Sequence, residues 1–256
     1  NNMDQQYFKE YYHLERVNWW FTVRRRILRD QIHRQLQSPK GIQSLNIGAA
    51  TGTTSDMLTE FGEVISVEYD QECCDYTKTF LKTPLIQGSI TDLPFSNNSY
   101  DLVCAFDVIE HVEDDAKAVE EMMRVCKPGG HIAITVPAYA FLWGEHDVIN
   151  QHFRRYTKTG LLKLLKNHPG KIVYQTYFNS ILFLPIAAFR LLARGTSQLK
   201  GPKKETVESD HAIFGTEGLF NNLLAGIFSI DYYLLKWGFR FPAGVSIMVF
   251  FKKDME

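Results

Sequence analysis

Apolar residues recur at three-, four- and seven-residue steps along the N-terminal stretch, where Leu14, Val17, Phe21, Leu28, Ile32 and Leu36 fall on one face. That is the period of an amphipathic helix, and it predicts one helix over residues 7–37, ended by Pro39 and Gly41. From residue 44 the pattern changes. Short apolar runs at 44–47, 64–69, 84–87, 101–106 and 131–137 read as strands. The stretches 54–61, 72–81 and 116–126 between them read as helices, the first capped by Thr53, Thr54 or Ser55 and the last stopped by "KPGG". Strands alternating with helices predict parallel βαβ units and a doubly wound sheet over 42–137. Further on, a helix at 158–167, a strand at 171–178, apolar helices at 180–193 and 217–238 and a final strand in "VSIMVFFKK" complete the pattern. The polar stretch 194–211 reads as a mobile loop. The expected fold class is α/β, with a mostly parallel, seven-stranded Rossmann-like sheet. A single domain over 1–256 would carry a helical cap (1–40), a core (42–137) and a later region (138–256) with a helical insertion at about 180–240.

Composition narrows the function. The chain has 256 residues, enough for one sizeable core. Its 28 Lys and Arg nearly cancel 29 Asp and Glu, so no global field recruits nucleic acid. The four cysteines lack zinc-site spacing and read as buried thiols of a reducing cytosol. The polar start predicts no secretory leader, and the apolar run 181–189 falls short of the ~20 residues that span a bilayer. A cytoplasmic location without a transmembrane segment is expected.

Candidate chemistry starts at residues 45–53, "LNIGAATGT". A strand that ends in small residues before a helix lets the backbone approach a ligand. Glu68, at the end of the second strand, is placed to accept both hydroxyls of an adenosine ribose. Gly48, Ala50 and Thr53 fill the dinucleotide G-x-G-x-x-G positions poorly, which disfavours NAD. The G-x-x-x-G spacing of Gly48 and Gly52 suits a ligand without phosphate.

"LNIGAATGT", "VISVEYD", "GSITDLPFSNNSYDLVCAFDVIEHV" and "RVCKPGGHIAITVP", in that order, resemble the class I methyltransferases that depend on S-adenosyl-L-methionine (SAM). The nearest pattern is the small-molecule group similar to the ubiquinone-biosynthesis enzymes (the type 11 methyltransferases). "WWFTVRRRIL" and "GEHD…HFRRYT" resemble a subset tied to glycan and lipid modification. The resemblance implies SAM as cofactor and S-adenosylhomocysteine (SAH) as product. It places Gly48, Ala49, Ala50 and Gly52 under the methionine end, Glu68 on the ribose, and Tyr69, Ser89, Ile90 and Asp92 near the adenine. Phe106 and Asp107 then line the sulfonium. Two departures stand out: Asn46 replaces a usual acid, and Ala50 a usual glycine.

His111, His146 and His152 are the candidate general bases. His111 reads equally as a turn residue. Trp20 and Arg24 from the N-terminal helix, and Trp143, Arg155 and Tyr156 after the fifth strand, are candidate substrate contacts; Trp20 reads equally as core, and Arg24 as a solvated face. "EDD" (113–115) reads as a helix cap. His146 and His152, six apart, match no helical metal motif, so no metal is expected. The expected function is methyl transfer from SAM to an oxygen or nitrogen of a small molecule, with a lipid- or glycan-related acceptor open. The rivals are a SAM-fold binding module without catalysis and an NAD-dependent oxidoreductase. The apolar insertion admits a lipidic acceptor, a homodimer interface, peripheral membrane contact or plain packing.

Overall fold

The computed structural model describes residues 2–197 and 218–255. Seven strands form one sheet: β1 (Ile42–Ile47), β2 (Gly62–Glu68), β3 (Leu85–Gln87), β4 (Tyr100–Phe106), β5 (Cys126–Pro137), β6 (Gly170–Phe178) and β7 (Ser246–Lys253). Their spatial order is β3-β2-β1-β4-β5-β7-β6. The first five pair in parallel, and β7 runs antiparallel to both β5 and β6. The order reverses beside β1, so the carboxyl ends of β1 and β4 flank the crevice where open α/β sheets take ligands. Leu45, Val103, Ala105, Ile134 and Phe250 are fully buried, each of the four larger side chains contributing roughly 1.5–3 kcal/mol of transfer free energy. β5 begins earlier than expected: "KPGG" already lies in the strand, and the register shifts between Tyr100 and Leu102.

The helices are α1 (Asn2–Val17), α2 (Trp19–Gln35), α3 (Thr53–Leu58), α4 (Gln71–Thr77), α5 (Asp115–Val125), α6 (Glu145–Ile149), α7 (Lys158–Lys166), α8 (Phe183–Ser197) and α9 (Leu219–Lys236). The single N-terminal helix expected over 7–37 is therefore two. Asn18 divides them: its side chain accepts from Trp20 N at 2.9 Å and caps α2. Asn221 on α9 holds the break, accepting from Trp19 N at 2.8 Å and donating to the Val17 carbonyl at 3.2 Å. A contact so distant in sequence leaves no trace in helical periodicity. Asp114 caps α5 as expected, accepting from Lys117 N. The loop expected at 194–211 begins inside α8, which runs to Ser197, and its remainder lies outside the described residues.

Candidate active site

After β1 the chain turns through Gly48–Gly52. Gly48 has φ +75°, and a Cβ there would sit 2.5 Å from Val108 Cγ2. Only glycine fits. Gly52, at φ +85°, is the N-cap of α3. The caps expected at Thr53, Thr54 or Ser55 are corrected: Thr53 already lies in the helix. Ser55 is committed to Asn46 Nδ2 and Ser66 Oγ, at 2.9 and 2.8 Å. Ala50 holds φ +45° in the same turn, a left-handed conformation that costs a residue with a Cβ about 1–2 kcal/mol. Glu68 backs this turn. Its two carboxylate oxygens accept from Ala50 N at 2.9 Å and Asp70 N at 3.1 Å.

From above, α1 grips the turn by Thr51. Thr51 N and Oγ1 both donate to Glu15 Oε2, and Arg16 donates to Thr51 Oγ1 and to its carbonyl at 3.3 and 3.2 Å. Burial pushes the Glu15 carboxyl above its ordinary range.

β4 and β5 end in a second, charged group of side chains. Asp107 meets Arg24 at 2.5 Å, an ion pair off the axis of a hydrogen bond, and the Arg24 guanidinium lies 4.9 Å from the Trp20 ring. In the short 3-10 turn Ile109–His111, Glu110 is 1% exposed and neither carboxylate oxygen has a hydrogen-bond partner. Burial, then the nearby Asp107, pushes its carboxyl well above the usual range. The His111 ring stands 4.5 Å from that of His152, nearly perpendicular. Burial, then His152, pushes His111 down to about 4, so at neutral pH it is an uncharged imidazole.

Asp147 organises the far side. It is fully buried, and its Oδ1 accepts from His152 Nδ1 at 2.8 Å and Arg155 Nε at 2.7 Å. Its Oδ2 accepts from Gly144 N at 2.8 Å and Arg190 at 3.3 Å. Burial alone would raise this carboxyl; the His152 hydrogen bond and the Arg155 charge instead hold it well below the usual range.

Both groups face one cavity of about 1130 Å³, beyond the roughly 300–1,000 Å³ of an ordinary ligand pocket. Of the sequence-predicted residues, Gly48, Ala49, Ala50, Phe106, Asp107, His111, His146, His152, Trp20, Arg24 and Arg155 line it. Others do not line it. Asn46 is 1% exposed and spends its amide on Ser55 behind β1. Tyr156 is buried, its hydroxyl bonded to Asp115 at 2.8 Å, so it ties α5 to the chain after β5. The Ile90 side chain packs in the core, and Ser89 Oγ is paired with Thr91 Oγ1. Exposed Tyr69 and Asp92, half-buried Trp143 and Gly52 lie outside the lining. Glu68 stands just behind it, on the Ala50 amide. Sequence reasoning missed Glu15, Arg16 and Asp147. The signal for Asp147 was present: an acid followed by His152 and Arg155 at five and eight residues.

Residues 45–134 match the methyltransferase domain family. A protein of Mycolicibacterium smegmatis, named a probable S-adenosylmethionine-dependent methyltransferase, is 28% identical over 157 residues, 60% of this chain and 60% of that protein. A demethylmenaquinone methyltransferase of Paenarthrobacter aurescens is 32% identical over 120 residues, 41% of this chain and 45% of the other. The chain thus spans 60% and 45% of the lengths of these relatives. Residues 45–134 are a class I SAM-dependent methyltransferase domain. The whole chain shares its fold with a SAM-dependent methyltransferase from Thermotoga maritima (TM-score 0.56, 17% identity, 98% of each chain). It shares it equally with the [4+2]-cyclase SpnF (TM-score 0.56, 16% identity, 90% of this chain and 80% of that one). Fold alone therefore leaves the reaction open.

SAM is the cofactor of this domain family, and the residues suit it. The Gly48 turn has no room for a side chain, which brings its backbone to the cavity wall. The Glu68 carboxylate has about four acceptor positions, and two backbone amides occupy two of them. Two remain open.

Proposed function

We propose that the protein transfers the methyl group of SAM to an oxygen or nitrogen of a small acceptor with an apolar body, releasing SAH. The observation that carries this reading is the single cavity with two unlike walls. One is the Gly48–Ala50 backbone with Asp107. The other is Leu182, Pro185, Ile186 and Phe189 of the α8 region with Phe220 and Leu224 of α9. The space exceeds what one ligand usually fills.

When bound, SAM supplies a methyl already activated on sulfur, so the chain's own task is alignment and exclusion of water. Alignment alone can lower a barrier by roughly 7–11 kcal/mol. Glu68 accepts the ribose hydroxyls, and the Gly48 turn admits the methionine end. Glu15 and Arg16 clamp Thr51 and keep α1 over the turn. His111, neutral at physiological pH, accepts a hydrogen bond from an acceptor hydroxyl and orients it. Relatives named as demethylmenaquinone methyltransferases support an acceptor with an apolar ring or tail.

The test has two steps. SAH is titrated calorimetrically into the protein, with NAD in a parallel cell. Hydroxylated and aminated apolar compounds are then screened with SAM, reading SAH release. SAH binding with turnover on an apolar acceptor is expected. Heat with NAD and none with SAH overturns the cofactor, and SAH binding without turnover on any acceptor favours the binding-module reading.

A further inference from the structure

We propose that Glu110, His111 and His152 form a site for a divalent transition metal of the zinc class, open toward the cavity. One ligand atom from each lies within 4.8 Å of the others. Ligands of a four-coordinate zinc at about 2.0–2.2 Å stand some 3.4 Å apart, a gap that small side-chain rotations close.

Three features beyond proximity support the site. First, Glu110 is almost fully buried, borders the cavity, and has no hydrogen-bond partner on either oxygen. A buried carboxylate without a partner is costly, and a cation would satisfy it. Second, one imidazole is held through its other edge: His152 Nδ1 is bonded to Asp147 at 2.8 Å, which leaves Nε2 for a ligand role. Metal-binding histidines are held in this way, by a carboxylate or a carbonyl behind the ring. Third, the guanidiniums nearby are engaged, Arg24 with Asp107, and Arg155 and Arg190 with Asp147.

Two imidazoles and one carboxylate favour zinc, cobalt or iron over magnesium or calcium, which take oxygen ligands. Three protein ligands leave a coordination position free on the cavity side, the arrangement of a catalytic rather than a structural site. On the methyl-transfer reading, that position would hold an acceptor oxygen, and His111 would then act on the acceptor through the metal as its ligand. The site itself does not depend on that reading. Sequence spacing hid it: His146 and His152 match no metal motif, and the ligands come from two segments that meet only in the fold.

Cobalt(II) chloride and zinc chloride are the probes, added to protein stripped with a chelator. Cobalt should bind with a single equivalent and a visible ligand-field absorption, and zinc should displace it. His111 is exposed at the cavity, so His111→Ala should keep the fold by circular dichroism and weaken cobalt at least about tenfold, the lower end of what losing even an outer partner costs. Glu110→Gln should do the same, and His33→Ala, on the exposed face of α2, should leave binding unchanged. Absence of cobalt binding, or binding that folded His111→Ala leaves intact, overturns the site. SAH titrated into the same stripped protein separates the two readings. SAH binding without cobalt removes only the metal, and cobalt binding without SAH removes only the methyl donor.

Discussion

The two sides of the cavity are built from different materials. Beside β1 and β2, the wall is backbone: a turn with three left-handed residues in five, Gly48, Ala50 and Gly52, backed by one carboxylate on two main-chain amides. Beside β4 and β5, the wall is charge. Asp107, Glu110 and Asp147 stand among Arg24, Arg155 and Arg190, with His111 and His152 between them. The first wall is a matter of main-chain shape. The second depends on which side chains meet, and on the proposed reading it is the side that would distinguish acceptors.

The sharpest break of this contrast is Asp147→Ala. It strips a buried carboxylate from two guanidiniums and an imidazole, and leaving such groups unpaired should cost about 3–5 kcal/mol. Urea unfolding reads it, and a loss under about 1 kcal/mol would show the charged wall to be ornamental. On the backbone wall, Glu68→Ala should weaken SAH by about tenfold to a hundredfold, since hydrogen bonds to a charged group contribute about 1.5–3 kcal/mol. Unaltered SAH affinity would take the ribose away from this side. Ala50→Gly relieves a left-handed alanine and should raise stability by about 0.5–1 kcal/mol after the entropy of glycine is subtracted. A drop instead would mean the methyl packs usefully in the turn. A further effect concerns pH. His111 titrates near 4 in the fold and near 6.5 in the unfolded chain, which therefore binds more protons between those values. Stability from this group grows as pH rises from 4 to 6.5, so His111→Asn should flatten the melting temperature over that window relative to the parent.

The backbone wall was legible in the sequence because its parts lie close along the chain. Small residues announce the turn at Gly48, and Glu68 follows at the end of the very next strand. The charged wall was only half legible. Its histidines and Arg155 stood out as polar groups at the sheet's edge, and the spacing of Asp147 to His152 and Arg155 hinted at their pairing, but nothing local says that Glu110 is buried without a partner. Asn46 and Tyr156 misled for the complementary reason. Each has the chemistry of a ligand contact, and each spends it on the protein's own interior. The strand pattern read correctly because alternation and burial are local properties. The break at Asn18 did not, because Asn221 creates it from far away.

Order along the chain and order in the sheet part company at β7. It follows β6 in sequence yet lies between β5 and β6, so β6 joins the other described strands through β7. During synthesis, β6 therefore leaves the ribosome before its neighbour exists. It waits until Ser246–Lys253 has followed it, and a truncation before Ser246 would strand it.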